Sequence, residues 1–161
     1  MVFWDEVCRD VVAYPDLTID WMLVDAMTQR MVLQSGTIDT VLATNLHADI
    51  LSDLAAALAG SLGIGATANI DPERCRPSMF EPIHGSAFDI AGKGIANPLG
   101  SFWTATMMLD HLGEPRGARR LMAAVETVTG RGEALSPDLG GRATTEEVTA
   151  AVVGALRGAN A

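Results

Sequence analysis

Apolar residues at helical spacing run from Val2 to about Ala13, and Tyr14-Pro15-Asp16 predicts the end of that helix. Leu17, Ile19, Trp21 and Leu23 alternate with Thr18, Asp20 and Met22, the pattern of a short strand. Asp25 stands where a cap would open a second helix to about Leu33, closed by Ser35-Gly36. Thr40 to Thr44 reads as a buried strand, and Asn45-Leu46-His47 turns into a helix from Ala48 to about Ala59, ended by Gly60. Gly60 to Ile70 is apolar but studded with glycine, and Asp71-Pro72-Glu73 is a turn. Pro98 opens a helix to about Leu112, Glu114-Pro115 another to about Thr129, and Thr144-Thr145-Glu146-Glu147 a last one to about Leu156. Helices alternating with buried strands predict an α/β fold.

One segment fits neither period. Glu81 to Pro98 holds too much Gly, Pro and polar character for a helix or a core strand. Ile83, Phe88, Ile90 and Ile95 make it too apolar for a disordered linker. Long ordered loops are usually functional. Gly85, Gly92 and Gly94 allow backbone N–H groups close to a ligand, while Asp89 and Asn97 offer polar readout. A loop pinned over a sheet edge accounts for the same residue types. Pro137 to Gly141 forms a second ordered-looking loop.

Composition narrows the partners. The 161 residues carry 11 basic and 20 acidic side chains, a net charge of −9, which disfavours nucleic acid and anionic membranes. A 48% hydrophobic content predicts an apolar surface covered by a partner. Cys8 and Cys75 lie far apart without metal-ligand spacing, which predicts free thiols in a reducing compartment. The opening Met-Val-Phe-Trp-Asp-Glu has no basic n-region, so no signal peptide is expected and a cytoplasmic location is. The longest uncharged runs fall short of a membrane span.

Asp49 and Asp53 are four residues apart, on one face of the predicted helix. Like charges at that spacing repel, and the sequence has no Lys or Arg between Arg30 and Arg74 to compensate. A hard cation such as Mg²⁺ or Mn²⁺ would suit two carboxylates. Two acids favouring the helix dipole and facing water would look the same. His47 and His84 lie beside these candidate sites without a second His or Cys at ligand spacing, and His111 reads as a surface residue near a helix C-terminus. The glycines of Gly60 to Gly65 do not follow the order of a dinucleotide fingerprint.

Taken together, Val24-Asp25-Ala26-Met27, Thr44 to Asp53, Glu81 to Pro98 and Pro137 to Gly141 resemble the metal-dependent β-decarboxylating dehydrogenases of isopropylmalate, isocitrate, tartrate and D-malate. Asn45-Leu46-His47-Ala48-Asp49, Asp71-Pro72-Glu73-Arg74 and Ser86-Ala87-Phe88-Asp89-Ile90 are most similar to the tartrate/D-malate branch. The resemblance implies that Asp49 and Asp53 bind Mg²⁺ or Mn²⁺, and that Asp25 completes such a site from the other subunit of a dimer. It implies that the loop with Gly85, Ser86, Ala87, Asp89, Ile90 and Asn97 wraps the adenosine half of NAD. Glu81 and His84 would flank the cofactor, Asn97 would lie near the adenine, and Asp138 would stand in the neighbouring loop. Asp89 would bind ribose hydroxyls and repel a 2′-phosphate; relatives that use NADP carry Lys-Tyr in place of Asp89-Ile90.

The chemistry implied is hydride transfer from a 2-hydroxy dicarboxylate to nicotinamide, with the metal polarising the hydroxyl oxygen and supporting loss of CO₂. It also needs a lysine base and a tyrosine acid. This sequence has one lysine, Lys93, within the cofactor loop, and one tyrosine, Tyr14, in a helix-end match without a catalytic role. The expectation is a C-terminal half of the two-lobed isopropylmalate dehydrogenase-like fold. Residues 1–66 would end the dimer-forming, metal-binding lobe, and 67–161 would form the later part of the NAD lobe, with sheet edges left exposed. The isolated chain should be inactive. A homodimer or a pairing with a complete homologue is expected; a non-catalytic assembly or regulatory subunit, a 3-isopropylmalate dehydrogenase fragment and a truncated gene product are the alternatives.

Overall fold

The computed structural model describes residues 2–11 and 16–158, which form two compact units dividing between Val41 and Leu42. The expected helix stop at Tyr14-Pro15 lies outside the described residues.

The first unit holds α1 (Val2–Val11) and α2 (Val24–Gln34), the latter followed by a single 3₁₀ turn at Ser35–Thr37. The strand expected over residues 17–23 is absent: the segment is irregular, and Leu17, Ile19, Trp21 and Leu23 are all exposed. Alternation makes a strand only beside a hydrogen-bonding neighbour, and none of the described residues supplies one. Side chains hold the segment instead. The Arg9 guanidinium lies 5.2 Å from the centre of the Trp21 ring, and Arg30 reaches Asp20 at 3.4 Å. Arg30 also donates to the Thr37 hydroxyl and carbonyl, both at 3.0 Å. Asp25 is not the cap expected. Leu23 occupies that position, and Asp25 stands inside the first turn.

The buried strand expected at Thr40–Thr44 is also absent, with Val41 and Leu42 exposed. Helix α3 starts at Asn45, earlier than expected, and runs to Ala59. Gly60 ends it in the left-handed region at φ 114°. A 3₁₀ turn at Leu62–Ile64 leads into β1 (Ala66–Asn69), which pairs antiparallel with β2 (Met79–Pro82), Ala66 opposite Pro82 and Asn69 opposite Met79. Neither strand was expected, and both are short and half-exposed. The fold is mixed helix and sheet, as the α/β expectation requires, with its strands in different places.

Helices α4 (Leu99–His111), α5 (Pro115–Arg131) and α6 (Thr145–Gly158) carry the core. Pro115 sits at the first helical position of α5, and Gly132 ends the helix at φ 67°. Its Ala124, Val125 and Val128 lie at helical spacing and are buried with Leu99, Val148 and Val152. Full burial of Val148 and Val152 contributes about 1.5–3 kcal/mol each. A capping box starts α6: the Glu147 N–H donates to the Thr144 hydroxyl, and the Thr144 N–H donates to the Glu147 carboxylate at 2.8 Å. His111 is not the surface residue expected. Its ring packs against Phe80 with centres 5.5 Å apart, and Nε2 lies 3.3 Å from Ser78 Oγ.

Helix α4 lies against the backbone of the 3₁₀ turn that precedes β1. A Cβ on Gly100 would stand 2.8 Å from the Gly63 carbonyl oxygen and 3.0 Å from that of Gly65. Backbone cannot swing aside as a side chain can, so Gly100→Ala should lower stability by about 1–3 kcal/mol. Gly154→Ala, on α6 with nothing within 4 Å, should instead raise it by up to about 1 kcal/mol. Urea denaturation of both variants tests the packing; equal midpoints for Gly100→Ala and wild type would contradict it.

Candidate functional site

The loop after β2 is ordered by its own backbone. Gly85, Gly92 and Gly94 take positive φ, and Ala87 does so at 40°, a conformation costing an alanine on the order of 1 kcal/mol. The Ala87 carbonyl accepts the N–H groups of Ile90 and Ala91 at 3.0 and 3.1 Å, and Lys93 N–H donates to the Ile90 carbonyl. Phe88, Asp89 and Glu81 are exposed, as are Gly85 and Ser86, whereas His84, Ala87 and Ile90 are half-buried. His84 Nδ1–H donates to the Gly85 carbonyl at 2.9 Å.

Both ends of this loop are fastened. Ile83 N–H donates to the Gly65 carbonyl at 3.1 Å. At the far end, Thr145 N–H donates to the Gly94 carbonyl and Thr145 Oγ1–H to the Ala96 carbonyl, at 2.8 and 2.6 Å. One of the unpaired N–H groups of the first turn of α6 is satisfied in this way.

Asn97 and Asp138, two expected cofactor neighbours, are hydrogen-bonded to each other. Asn97 Nδ2–H donates to Asp138 Oδ2 at 2.9 Å, and Asn97 Oδ1 accepts the Leu99 N–H at 2.9 Å. The Ser61 hydroxyl donates to the same Asp138 oxygen, and its own oxygen accepts the Gly63 N–H at 2.8 Å. Ser61 and Asn97 are buried; Asp138 sits on the 3₁₀ turn Pro137–Leu139 and is exposed as a residue. Ser136 is fully buried, its hydroxyl close to the Asp138 carboxylate but outside standard hydrogen-bond geometry. Ser61, Gly63, Ser136 and Thr145 were not singled out from the sequence. The Ser61-Leu62-Gly63 turn is a local signal for the first two, and nothing local marks the others.

The aspartates at Asp49 and Asp53 stand exposed on one face of α3, and neither carboxylate has a hydrogen-bond or ion-pair partner among the described residues. Two unpaired oxygen donors of that kind fit a hard divalent cation. Asp25, in the first unit, is exposed as well; its Oδ1 accepts the Ala26 N–H at 2.8 Å. Among the described residues, no three His, Cys, Asp or Glu side chains are gathered to hold a metal ion. No described helix is long and apolar enough to cross a membrane.

Burial raises the Asp138 carboxyl's affinity for protons, but the hydroxyls of Ser136 and Ser61, the Asn97 amide and its own backbone N–H outweigh it and hold the pKa below the ordinary value. The Thr144 backbone and hydroxyl lower that of Glu147 in the same direction. A carboxylate whose pKa is depressed by folding stabilises the fold above its unfolded pKa, and that contribution is lost as pH falls through the folded value. Stability should therefore decline from about pH 4 downward, and Asp138→Asn should flatten part of that decline. Chemical denaturation as a function of pH in both proteins measures it; an identical slope in the variant would contradict the network.

The chain matches the model of the isocitrate/isopropylmalate dehydrogenase family over residues 1–152. It is 66% identical over 99% of its length to a probable tartrate dehydrogenase/decarboxylase of Agrobacterium vitis, and 43% identical over 94% of its length to the D-malate dehydrogenase (decarboxylating) of Escherichia coli K12. It spans 45% and 44% of those two proteins. A crystal structure of isocitrate dehydrogenase from Methylococcus capsulatus superposes with a TM-score of 0.91 at 43% identity, covering 97% of this chain and 46% of that one. The fold is thus shared with part of a longer dehydrogenase. The chain belongs to the isocitrate/isopropylmalate dehydrogenase family.

Proposed function

We propose that this chain carries the metal-binding and adenosine-binding stretches of an NAD-dependent, Mg²⁺- or Mn²⁺-dependent dehydrogenase. The substrate would be a 2-hydroxy dicarboxylic acid such as tartrate or D-malate, oxidised with or without decarboxylation. The observation that carries this reading is the loop from Ile83 to Asn97, fastened at both ends with Asp89 exposed between. Relatives named for tartrate and D-malate support the substrate class. Residues 1–66 would belong to the dimer-forming, metal-binding lobe of the whole enzyme and 67–161 to its NAD lobe.

Asp49 and Asp53 would hold the cation, with Asp25 supplied by a second subunit; the bound ion would polarise the substrate's hydroxyl oxygen. Glu81, His84, Gly85, Ser86, Ala87, Ile90 and Asn97 would surround the nucleotide, and Asp138 would support them. Asp89 would accept hydrogen bonds from ribose hydroxyls and repel a 2′-phosphate. Exposed apolar side chains on α2 and α3, among them Leu33, Leu46 and Ile50, support pairing with a second copy or a complete homologue. Two free cysteines support a reducing compartment such as the cytoplasm.

The family chemistry needs a lysine base and a tyrosine acid, and Lys93 and Tyr14 do not match either position. Purified 161-residue chain with NAD, Mn²⁺ and D-malate should form no NADH. Substrate-dependent NADH formation, abolished by Asp49→Asn, would overturn that expectation. By calorimetry the same chain should bind NAD more tightly than NADP, and Asp89→Lys should reverse the order by roughly tenfold or more through removal of like-charge repulsion. Equal affinities in wild type would remove Asp89 as the discriminating residue.

A further inference from the structure

The two ends of the 83–97 loop are fastened to one short turn, residues 61–65. Ile83 donates to the Gly65 carbonyl at one end; at the other, Asn97 reaches Ser61 through the Asp138 carboxylate. Asp138 is the only side chain in that second link that comes from neither the turn nor the loop. One carboxylate oxygen, Oδ2, takes both donors, which uses its two lone pairs. Asn97 is 7% exposed and spends its Oδ1 on the Leu99 N–H, so its side chain faces the protein. Gly63 is packed into the same junction: a Cβ there would lie 2.8 Å from both Asn97 Cβ and Asp138 Oδ2. The turn, the loop end and the carboxylate therefore cannot shift independently.

We propose that Asp138 is a positioning residue. Its carboxylate closes the base of the loop by joining Asn97 to Ser61, and so sets the affinity for the adenosine half of the dinucleotide without contacting it. Closing a flexible loop costs entropy when a ligand must do it; a loop already closed by the fold leaves that contribution to binding. This inference rests on the reading of the loop as a nucleotide site. It differs from a general structural role because the metal-binding pair on α3 makes no hydrogen bond to the junction and should be indifferent to it.

The test uses the 161-residue chain as wild type, Asp138→Leu, Asp138→Asn and Gly63→Ala. Hydrogen exchange of residues 83–97, ADP-ribose affinity and Mn²⁺ affinity are measured on each. Asp138→Leu should speed exchange across the loop and weaken ADP-ribose by roughly tenfold or more, the worth of a charge-assisted hydrogen bond. Mn²⁺ affinity should stay unchanged. Asp138→Asn should recover part of the loss, because its amide oxygen still accepts both donors. Gly63→Ala should act in the same direction by wedging the junction apart, and it decides the matter if Asp138→Leu does not fold. Unchanged loop exchange in both Asp138→Leu and Gly63→Ala would overturn the proposal, as would a parallel loss of Mn²⁺ affinity. A wild-type chain that binds no ADP-ribose would sink the nucleotide reading itself and the affinity claim with it.

Discussion

A single carboxylate oxygen, Asp138 Oδ2, joins segments that are far apart in the chain. Its partner Asn97 lies 41 residues away and its partner Ser61 lies 77 residues away. Three consequences meet there. The turn before β1 is held, α4 is started by the Asn97 oxygen on the Leu99 N–H, and the loop between β2 and α4 is shut at its base. Gly63 and Gly100 make the arrangement possible by letting backbone and side chains approach where a Cβ would collide. The helical core supports the same junction from behind, because Leu99, the residue that Asn97 caps, packs on Val125, Val128, Val148 and Val152.

Helices were legible in the sequence because their signals are local. Pro98, Pro115 and the Thr144-x-x-Glu147 box mark three starts, and the spacing of Val125, Val128, Val148 and Val152 marks the buried faces. Strands were not. The alternation at Leu17–Leu23 and the apolar run at Thr40–Thr44 describe what those residues do beside a sheet neighbour, and no described residue provides one. Ala66-Thr67-Ala68-Asn69 has weak strand propensity and pairs because Met79–Pro82 lies next to it. The same division runs through the site. The Gly-rich loop declared itself by composition, whereas the junction of Ser61, Asn97 and Asp138 exists only in three dimensions.

The chain spans a little under half of the relatives it matches, and its surface is rich in apolar side chains. Phe88, on the loop between β2 and α4, is 88% exposed, and Leu17, Leu23, Leu33, Leu42 and Leu46 are all open to solvent. Covering side chains of that kind contributes about 1.5–3 kcal/mol each. On the proposed reading, the carboxylates of α3 and the closed loop would supply binding, and the lysine and tyrosine for proton transfer would have to come from elsewhere. Binding would then be what this stretch contributes.

Titration of the 161-residue chain with ADP-ribose, followed by the backbone amide resonances, tests that contribution most directly. Saturable shifts confined to Gly85–Asn97 and the neighbouring turns are expected, present in wild type and diminished in Asp89→Ala. Shifts absent at saturating ligand, or confined to α5 and α6, would contradict it.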